Sequence, residues 1–257
     1  MTLQQDRNFD SLIERFEQKV YDTAKGDWRL TLLKEDLNFL WQQSPALHIW
    51  DAGCGFAQIS LWFATQGHHV CLCDVSQKML ARAKQLFQAA ELPAEFIHAA
   101  AQTVAPTLPQ FDIVLLHAVL EWLAQPLPTL ATITHQVKPG GYLSLMFYNR
   151  NAMIYSNVLK GGWRLQPILA NSYLGKGKRL TPPNPQYPHI VLTELEKLGF
   201  RIHTHTGIRV FHDYLTSAVQ AETDTEELFA LEYRYCRQPT YRDMGRYVHV
   251  LAQKMPD

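Results

Sequence analysis

Two carboxylates and two glycines stand at spacings that suit a nucleoside: Asp51, Gly53, Gly55 and Asp74. Gly53 and Gly55 permit backbone angles closed to other residues and leave bare main chain for a ligand to lie on. Asp74 ends the apolar run His69-Val70-Cys71-Leu72-Cys73. An acid about 20 residues past a glycine turn, at the end of the next strand, can accept both hydroxyls of a ribose. The plainer alternative is a charge at the start of the following helix. Ser76 is the better cap for that helix, which leaves Asp74 for the ribose.

A dinucleotide site would carry a third glycine at position 58, and Gln58 stands there. The acid-x-Gly-x-Gly string instead resembles the first motif of class I methyltransferases, which bind S-adenosylmethionine. Those enzymes often have a glycine at the position of Ala57. Cys54 keeps its main-chain amide in the turn. Four further residues are candidates for the same ligand. Arg29 could meet a methionine carboxylate at the mouth of the site, or be a solvated helix charge. Ala101 and Gln102 follow the third strand, where a main-chain amide and a polar side chain could hold an adenine. His117 ends the fourth strand, the rim where open α/β sheets bind ligands; a buried, hydrogen-bonded histidine is the competing reading.

The elements that must position these groups follow from periodicity. Residues 47–50 are an apolar, extended-prone run that breaks into the glycine turn, and residues 59–64 continue as a helix whose free N–H groups face the turn. Further strands are expected over 69–74, 94–100, 111–117 and 142–147, with helices over 76–90 and from Pro126 to about residue 137, ended by Lys138-Pro139-Gly140-Gly141. That alternation predicts a doubly wound, mostly parallel seven-stranded α/β sheet in one domain. Before it, residues 1–45 read as a helical lid. One helix spans 10–22, residues 23–26 form a hinge-like turn, and a second helix capped by Asp27 runs to about residue 43, with Leu30, Leu33, Leu37 and Leu40 inward. Residues 46–147 form the cofactor half, 148–190 an insert, and 191–257 the rest. The last part holds a helix over 193–198, a strand over 201–210, a helix over 222–235 and a closing strand over 247–254.

The chain has 257 residues, 24 basic and 24 acidic. No apolar run approaches a membrane span, and the N-terminus lacks a signal peptide's apolar stretch, so a soluble cytoplasmic protein is expected. Cys54, Cys71, Cys73 and Cys236 show no Cys-x-x-Cys spacing, so neither a disulfide nor a metal is expected. The neutral average hides a block. From Trp122 to Thr193 there is no Asp or Glu, while Lys138, Arg150, Lys160, Arg164, Lys176, Lys178 and Arg179 fall there. Tyr155, Trp163 and Tyr173 are interleaved with these cations. Cations for phosphates and aromatic rings for unpaired bases are the local signature of RNA contact.

Several strings match one family across nearly the whole chain: Asp6-Arg7-Asn8-Phe9-Asp10, Lys25-Gly26 with Arg29, 117–122 (HAVLEW), 143–149 (LSLMFYN), 207–214 (GIRVFHDY), 234–238 (RYCRQ) and 245–250 (GRYVHV). Together they resemble the bacterial tRNA 5-carboxymethoxyuridine methyltransferases. The resemblance implies methylation of the carboxylate of that wobble uridine, in the tRNA anticodon loop, to its methyl ester. The family's cofactor turn has three glycines followed by Glu-Gly, where this chain has Gly53-Cys54-Gly55-Phe56-Ala57.

Methyl transfer is an in-line displacement at a sulfonium methyl. A carboxylate acceptor is already ionised at neutral pH and needs no base. This suits a sequence with no evident triad, and no catalytic base is expected. The acceptor wants a planar cation with paired donors. Arg209 and Arg246 are candidates, or they tie their region together by ion pairs. Tyr148 and Asn149, after the fifth strand, face the acceptor or cap the strand. Lys176, Lys178 and Arg179 are candidates for tRNA phosphates, or they form a solvated loop tip with no partner. A small-molecule carboxyl or O-methyltransferase and a non-catalytic cofactor- or RNA-binding accessory protein are the alternatives.

Overall fold

The computed structural model describes residues 6–8, 10, 24–43, 45–172 and 181–256. Residues 11–22 of the expected first helix, Tyr173, and the candidates Lys176, Lys178 and Arg179 lie outside the described residues. Seven strands form one sheet: β1 (His48–Ala52), β2 (His69–Asp74), β3 (Glu95–His98), β4 (Phe111–His117), β5 (Val137–Tyr148), β6 (Phe200–Ile208) and β7 (Tyr247–Lys254). Their order is β3-β2-β1-β4-β5-β7-β6. The first five pair in parallel, and β7 runs antiparallel between β5 and β6.

β1 has neighbours on both edges and helices on both faces, so every residue after His48 is buried. One core layer holds Trp50, Leu116, Leu143 and Val250. The other holds Leu33, Leu37, Phe63, Leu115 and Leu251. Helix α1 (Ala24–Trp41) covers the second layer, against β6 and β7. Leu33, Leu37 and Leu40 are buried as expected, with Leu32, while Leu30 is only partly covered. Cys71 and Cys73 are buried in the first layer as small hydrophobes. Their thiols are pushed up to about 12 by burial.

Several boundaries differ from the sequence expectation. α1 already includes Ala24 to Gly26, so Asp27 lies in its first turn and does not cap it. Lys138 to Gly141 do not end a helix. The helix from Pro126 stops at Thr134, and β5 starts at Val137 with a bulge against β4. Gly140 has φ +78, and a Cβ on Gly141 would sit 2.8 Å from the Asp112 carbonyl oxygen, so these two glycines let the strand bend and still pair. The helix expected over 193–198 begins at Pro188, a residue suited to a first helical position. The helix over 222–235 is two, Ser217–Glu222 and Thr225–Tyr235, because the Asp224 side chain caps the second by accepting from the Glu226 and Glu227 amides. The insert is partly helical: one helix over Arg150–Lys160 and a short turn, Leu165–Leu169. Among the described residues no helix is long and apolar enough to cross a membrane, and no group of His, Cys, Asp or Glu is placed to hold a metal.

Candidate functional site

The glycine turn is held by β2. The amides of Gly53 and Cys54 both donate to the Cys73 carbonyl, at 2.9 Å each. Gly53 has φ +91, and a Cβ there would lie 2.6 Å from Val119 Cγ2. Gly55 has φ +53 and donates its amide to Asp74 Oδ2 at 2.9 Å. Ala57 is also left-handed, at φ 55. A side chain in that region costs about 1–2 kcal/mol, which explains why a glycine is the usual residue there. Cys54 is buried, and burial holds its thiol protonated, well above the ordinary value.

Asp74 is not free in the way Ser76 capping suggested. Ser76 does cap its helix, accepting from the Met79 amide. Yet Asp74 also accepts from the amides of Gly55 (2.9 Å) and Ser76 (2.7 Å), so it clamps the turn to β2. A carboxylate has acceptor sites left after two such bonds. Burial raises Asp74, and the two amides oppose that. Asp51, the acid of the glycine motif, lines the same pocket and accepts from the Ser60 hydroxyl. Burial, with Asp74 nearby and Ser60 opposing, pushes Asp51 up to about 7.

All eight cofactor candidates line this one pocket: Arg29, Gly53, Cys54, Gly55, Asp74, Ala101, Gln102 and His117. Arg29 Nη2 lies 3.4 Å from Gln58 Oε1, bridging α1 to the helix after the turn. Ala101 opens a short helix, so its amide has no partner within that helix. The Gln102 side chain is held at 2.6 Å by Asp6. His117 Nε2 is 2.7 Å from Ser144 Oγ. Burial, with the Arg29 charge, holds His117 well below the ordinary histidine value. Residues near the N-terminus cross the mouth. Asp6 accepts from the Ala124 amide, and the Arg7 guanidinium lies 5.4 Å from the Trp122 ring centre. Asn8 donates to the Val75 carbonyl, and Asp10 accepts from the Ser76 hydroxyl. The Asp6 to Asp10 string was the available signal, but its partners could not be read from it.

A second cluster adjoins the pocket. Met146 lines the pocket, and Tyr148 follows two residues later on the same face of β5. Tyr148 is buried under the Arg246 guanidinium, 4.7 Å from its ring centre, and packs edge-on against Tyr247. Burial pushes the Tyr148 phenol above its ordinary value. Arg209 Nε donates to Asp213 Oδ2 at 2.9 Å, and Arg246 Nε is 3.8 Å from the same oxygen. Burial would raise Asp213. Arg209, His212 and Arg246 more than reverse it, and the carboxyl lies well below the usual carboxylate range. So two guanidiniums share one carboxylate, and the group stays net positive. Asn149 is a cap: its Oδ1 accepts from the Asn151 amide, and its Nδ2 donates to the Asp243 and Gly245 carbonyls, both at 2.8 Å.

The basic block does not act as one surface. Lys138 pairs with Asp112 at 2.7 Å, at the opposite end of β5. Arg150 stacks 5.2 Å from the Tyr187 ring centre and donates to Asn171. Lys160 and Arg164 are different. Burial, then Arg246 and Arg164, lower the Lys160 ammonium, which places those three cations in one neighbourhood. Tyr155 and Trp163 are exposed beside them, and Tyr155 meets Tyr214 edge-on at 5.2 Å.

Known proteins share this fold and, in part, this sequence. The family model described as a methyltransferase domain matches residues 50–145. The crystal structure of magnesium protoporphyrin IX methyltransferase from Synechocystis PCC 6803, with bound SAH, superposes with a TM-score of 0.61 at 16% identity, covering 96% of this chain and 95% of that one. A ubiquinone biosynthesis O-methyltransferase of Aromatoleum aromaticum is 34% identical over 46% of this chain and 51% of its own length. The tRNA 5-carboxymethoxyuridine methyltransferase of Escherichia coli (strain K12) is 43% identical over 97% of both chains. With that identity along nearly its whole length, the chain belongs to the tRNA 5-carboxymethoxyuridine methyltransferase family, among the class I S-adenosylmethionine-dependent methyltransferases.

Proposed function

We propose that this protein methylates the carboxylate of 5-carboxymethoxyuridine at the wobble position of tRNA, in the cytoplasm. The observation that carries this reading is the cluster of Arg209 and Arg246 on Asp213, a half-buried net positive group beside the pocket. A guanidinium presents N–H donors in a planar fork that matches a carboxylate. An anionic acceptor leaving water there meets a cation, which removes the cost of burying it unpaired.

S-adenosylmethionine, when bound, supplies the methyl group. The chain's own residues do the rest. Asp74 accepts from the ribose hydroxyls. The Ala101 amide and Gln102 hold the adenine, and Arg29 meets the methionine carboxylate. Gly53, Cys54 and Gly55 form the floor, and His117 faces the cationic end. Tyr148, Arg209 and Arg246 align the acceptor. Lys160, Arg164, Tyr155 and Trp163 line the approach of the anticodon loop, and Lys176, Lys178 and Arg179 add phosphate contacts. Residues 1–45 serve as the lid. The E. coli relative's name supports the tRNA substrate.

With an acceptor already ionised, the single-turnover rate should be nearly flat above about pH 6. A rate that rises tenfold per pH unit through neutrality would point to a hydroxyl or amine acceptor.

A further inference from the structure

A line of polar side chains crosses the core between α1 and the sheet. Asp36 Oδ2 is 2.7 Å from His249 Nδ1. His249 Nε2 is 2.9 Å from Ser144 Oγ, and Ser144 Oγ is 2.7 Å from His117 Nε2. Asp36, Ser144 and His249 are buried, and His117 lines the ligand pocket. Leu33, Leu37, Leu115, Met146 and Leu251 form the apolar core layer on this side of the sheet. An apolar core would need no such partners, and a buried polar chain is favourable only when every link is made.

We propose that Asp36, His249 and Ser144 are positioning residues that fix the tautomer of His117 and so present its Nδ1 lone pair to the cationic end of the ligand. The direction follows from donors and acceptors. Asp36 is ionised: Arg237 Nη2 and Nε donate to its Oδ1 at 2.7 and 3.0 Å. The carboxylate only accepts, so His249 must donate from Nδ1. In the proposed arrangement His249 is the neutral Nδ1–H tautomer, so its Nε2 accepts and the Ser144 hydroxyl donates to it. Ser144 Oγ then accepts from His117 Nε2–H. His117 Nδ1 is left as a lone pair, with no partner among the described residues. The other groups facing the chain are Thr206 beside Asp36, His205 beside His249, and Arg29 beside His117. A lone pair attracts a sulfonium, whereas an N–H in its place repels it. The inference rests on reading this pocket as the cofactor site.

Asp36→Asn tests it with little change in shape. Arg237 still needs an acceptor, so the amide oxygen stays with Arg237 and the amide NH2 faces His249. Every link then reverses, and His117 becomes an Nδ1–H donor three groups away. Long-range nitrogen–proton NMR of the imidazoles, with the His117 signals assigned by a His117→Asn variant, distinguishes the two tautomers in the free enzyme. Calorimetry with S-adenosylmethionine and with S-adenosylhomocysteine, which lacks the positive charge, reads the consequence. The expected result is an Nε2–H ring in the natural protein and an Nδ1–H ring in the variant. S-adenosylmethionine should bind about tenfold more weakly to the variant, with less than about twofold change for S-adenosylhomocysteine. The same tautomer in both proteins, or equal weakening of both ligands, would overturn the inference. Should Asp36→Asn fail to fold, Ser144→Ala removes the middle link. A mixed His117 tautomer is then expected, and an unchanged spectrum would overturn the proposal. Neither measurement involves tRNA, so failure of the tRNA reading would leave these results standing, and the reverse.

Discussion

The two sides of the site are built from different material. The proposed cofactor side is mostly backbone: the turn through Gly53, Cys54 and Gly55 after β1, fixed by the Cys73 carbonyl and one carboxylate, Asp74. The proposed acceptor side is mostly side chains: Arg209, Arg246, Asp213 and Tyr148, carried by β5, β7 and the segment after β6. A backbone site needs glycine at fixed places and suits any ligand of the right shape. A side-chain site needs particular charges held at particular distances, and it selects a partner. This division implies that the two halves can be damaged separately.

The sharpest separation should come from the guanidiniums. Replacing Arg209 and Arg246 together by Ala should lower methyl transfer to tRNA by about 100-fold or more, at about 1.5–3 kcal/mol for each charged hydrogen bond. S-adenosylmethionine affinity, read by calorimetry, should stay within about twofold. Equal loss of both would mean that the two sides are one site. Asp74→Ala is the mirror test. It should weaken S-adenosylmethionine by about 10–100-fold, a loss of about 1.5–3 kcal/mol, and also loosen the Gly55 turn. Unchanged affinity in a folded variant would remove Asp74 from the ribose.

Glu121 sits at the joint between the halves, fully buried after β4 and within electrostatic reach of Tyr247. Neither carboxyl oxygen has a well-formed hydrogen bond among the described residues, although the amides of Glu121 and Tyr148 face it. Burial, opposed by those amides, raises it from 4.5 to about 8. The folded state therefore keeps a proton that the unfolded chain releases. The Glu121 contribution is fully present below pH 4.5 and is lost as pH rises toward 8. The slope is at most about 1.4 kcal/mol per pH unit. Denaturant unfolding of Glu121→Gln across this range should show a shallower fall than the natural protein. Parallel curves would mean that Glu121 is ionised at no unusual pH.

The same contrast explains what could be read from the chain alone. Gly53, Gly55 and Asp74 were legible because backbone demands leave glycine at fixed spacings. The left-handed turn at Ala57 was not, since alanine carries no mark of it. The helix start at Pro188 carried a signal, a proline suited to the first turn. The pairing of Asp36 with His249, or of Asp213 with both arginines, had no local trace, because those partners meet only when α1, β7 and the segment after β6 pack together. The division of the basic block was likewise hidden: Lys138 belongs to Asp112 at the far end of β5, while Lys160 and Arg164 lie near Arg246.

The central claim is a methyl ester on tRNA, and its chemistry is directly testable. The purified protein is incubated with methyl-labelled S-adenosylmethionine, together with tRNA lacking only the terminal ester and a panel of small carboxylic acids. The products are then treated with mild alkali, which cleaves esters and spares ethers and methylated amines. The account predicts label in tRNA that alkali releases as methanol. Label in a small acid, or alkali-stable label in tRNA, would contradict it.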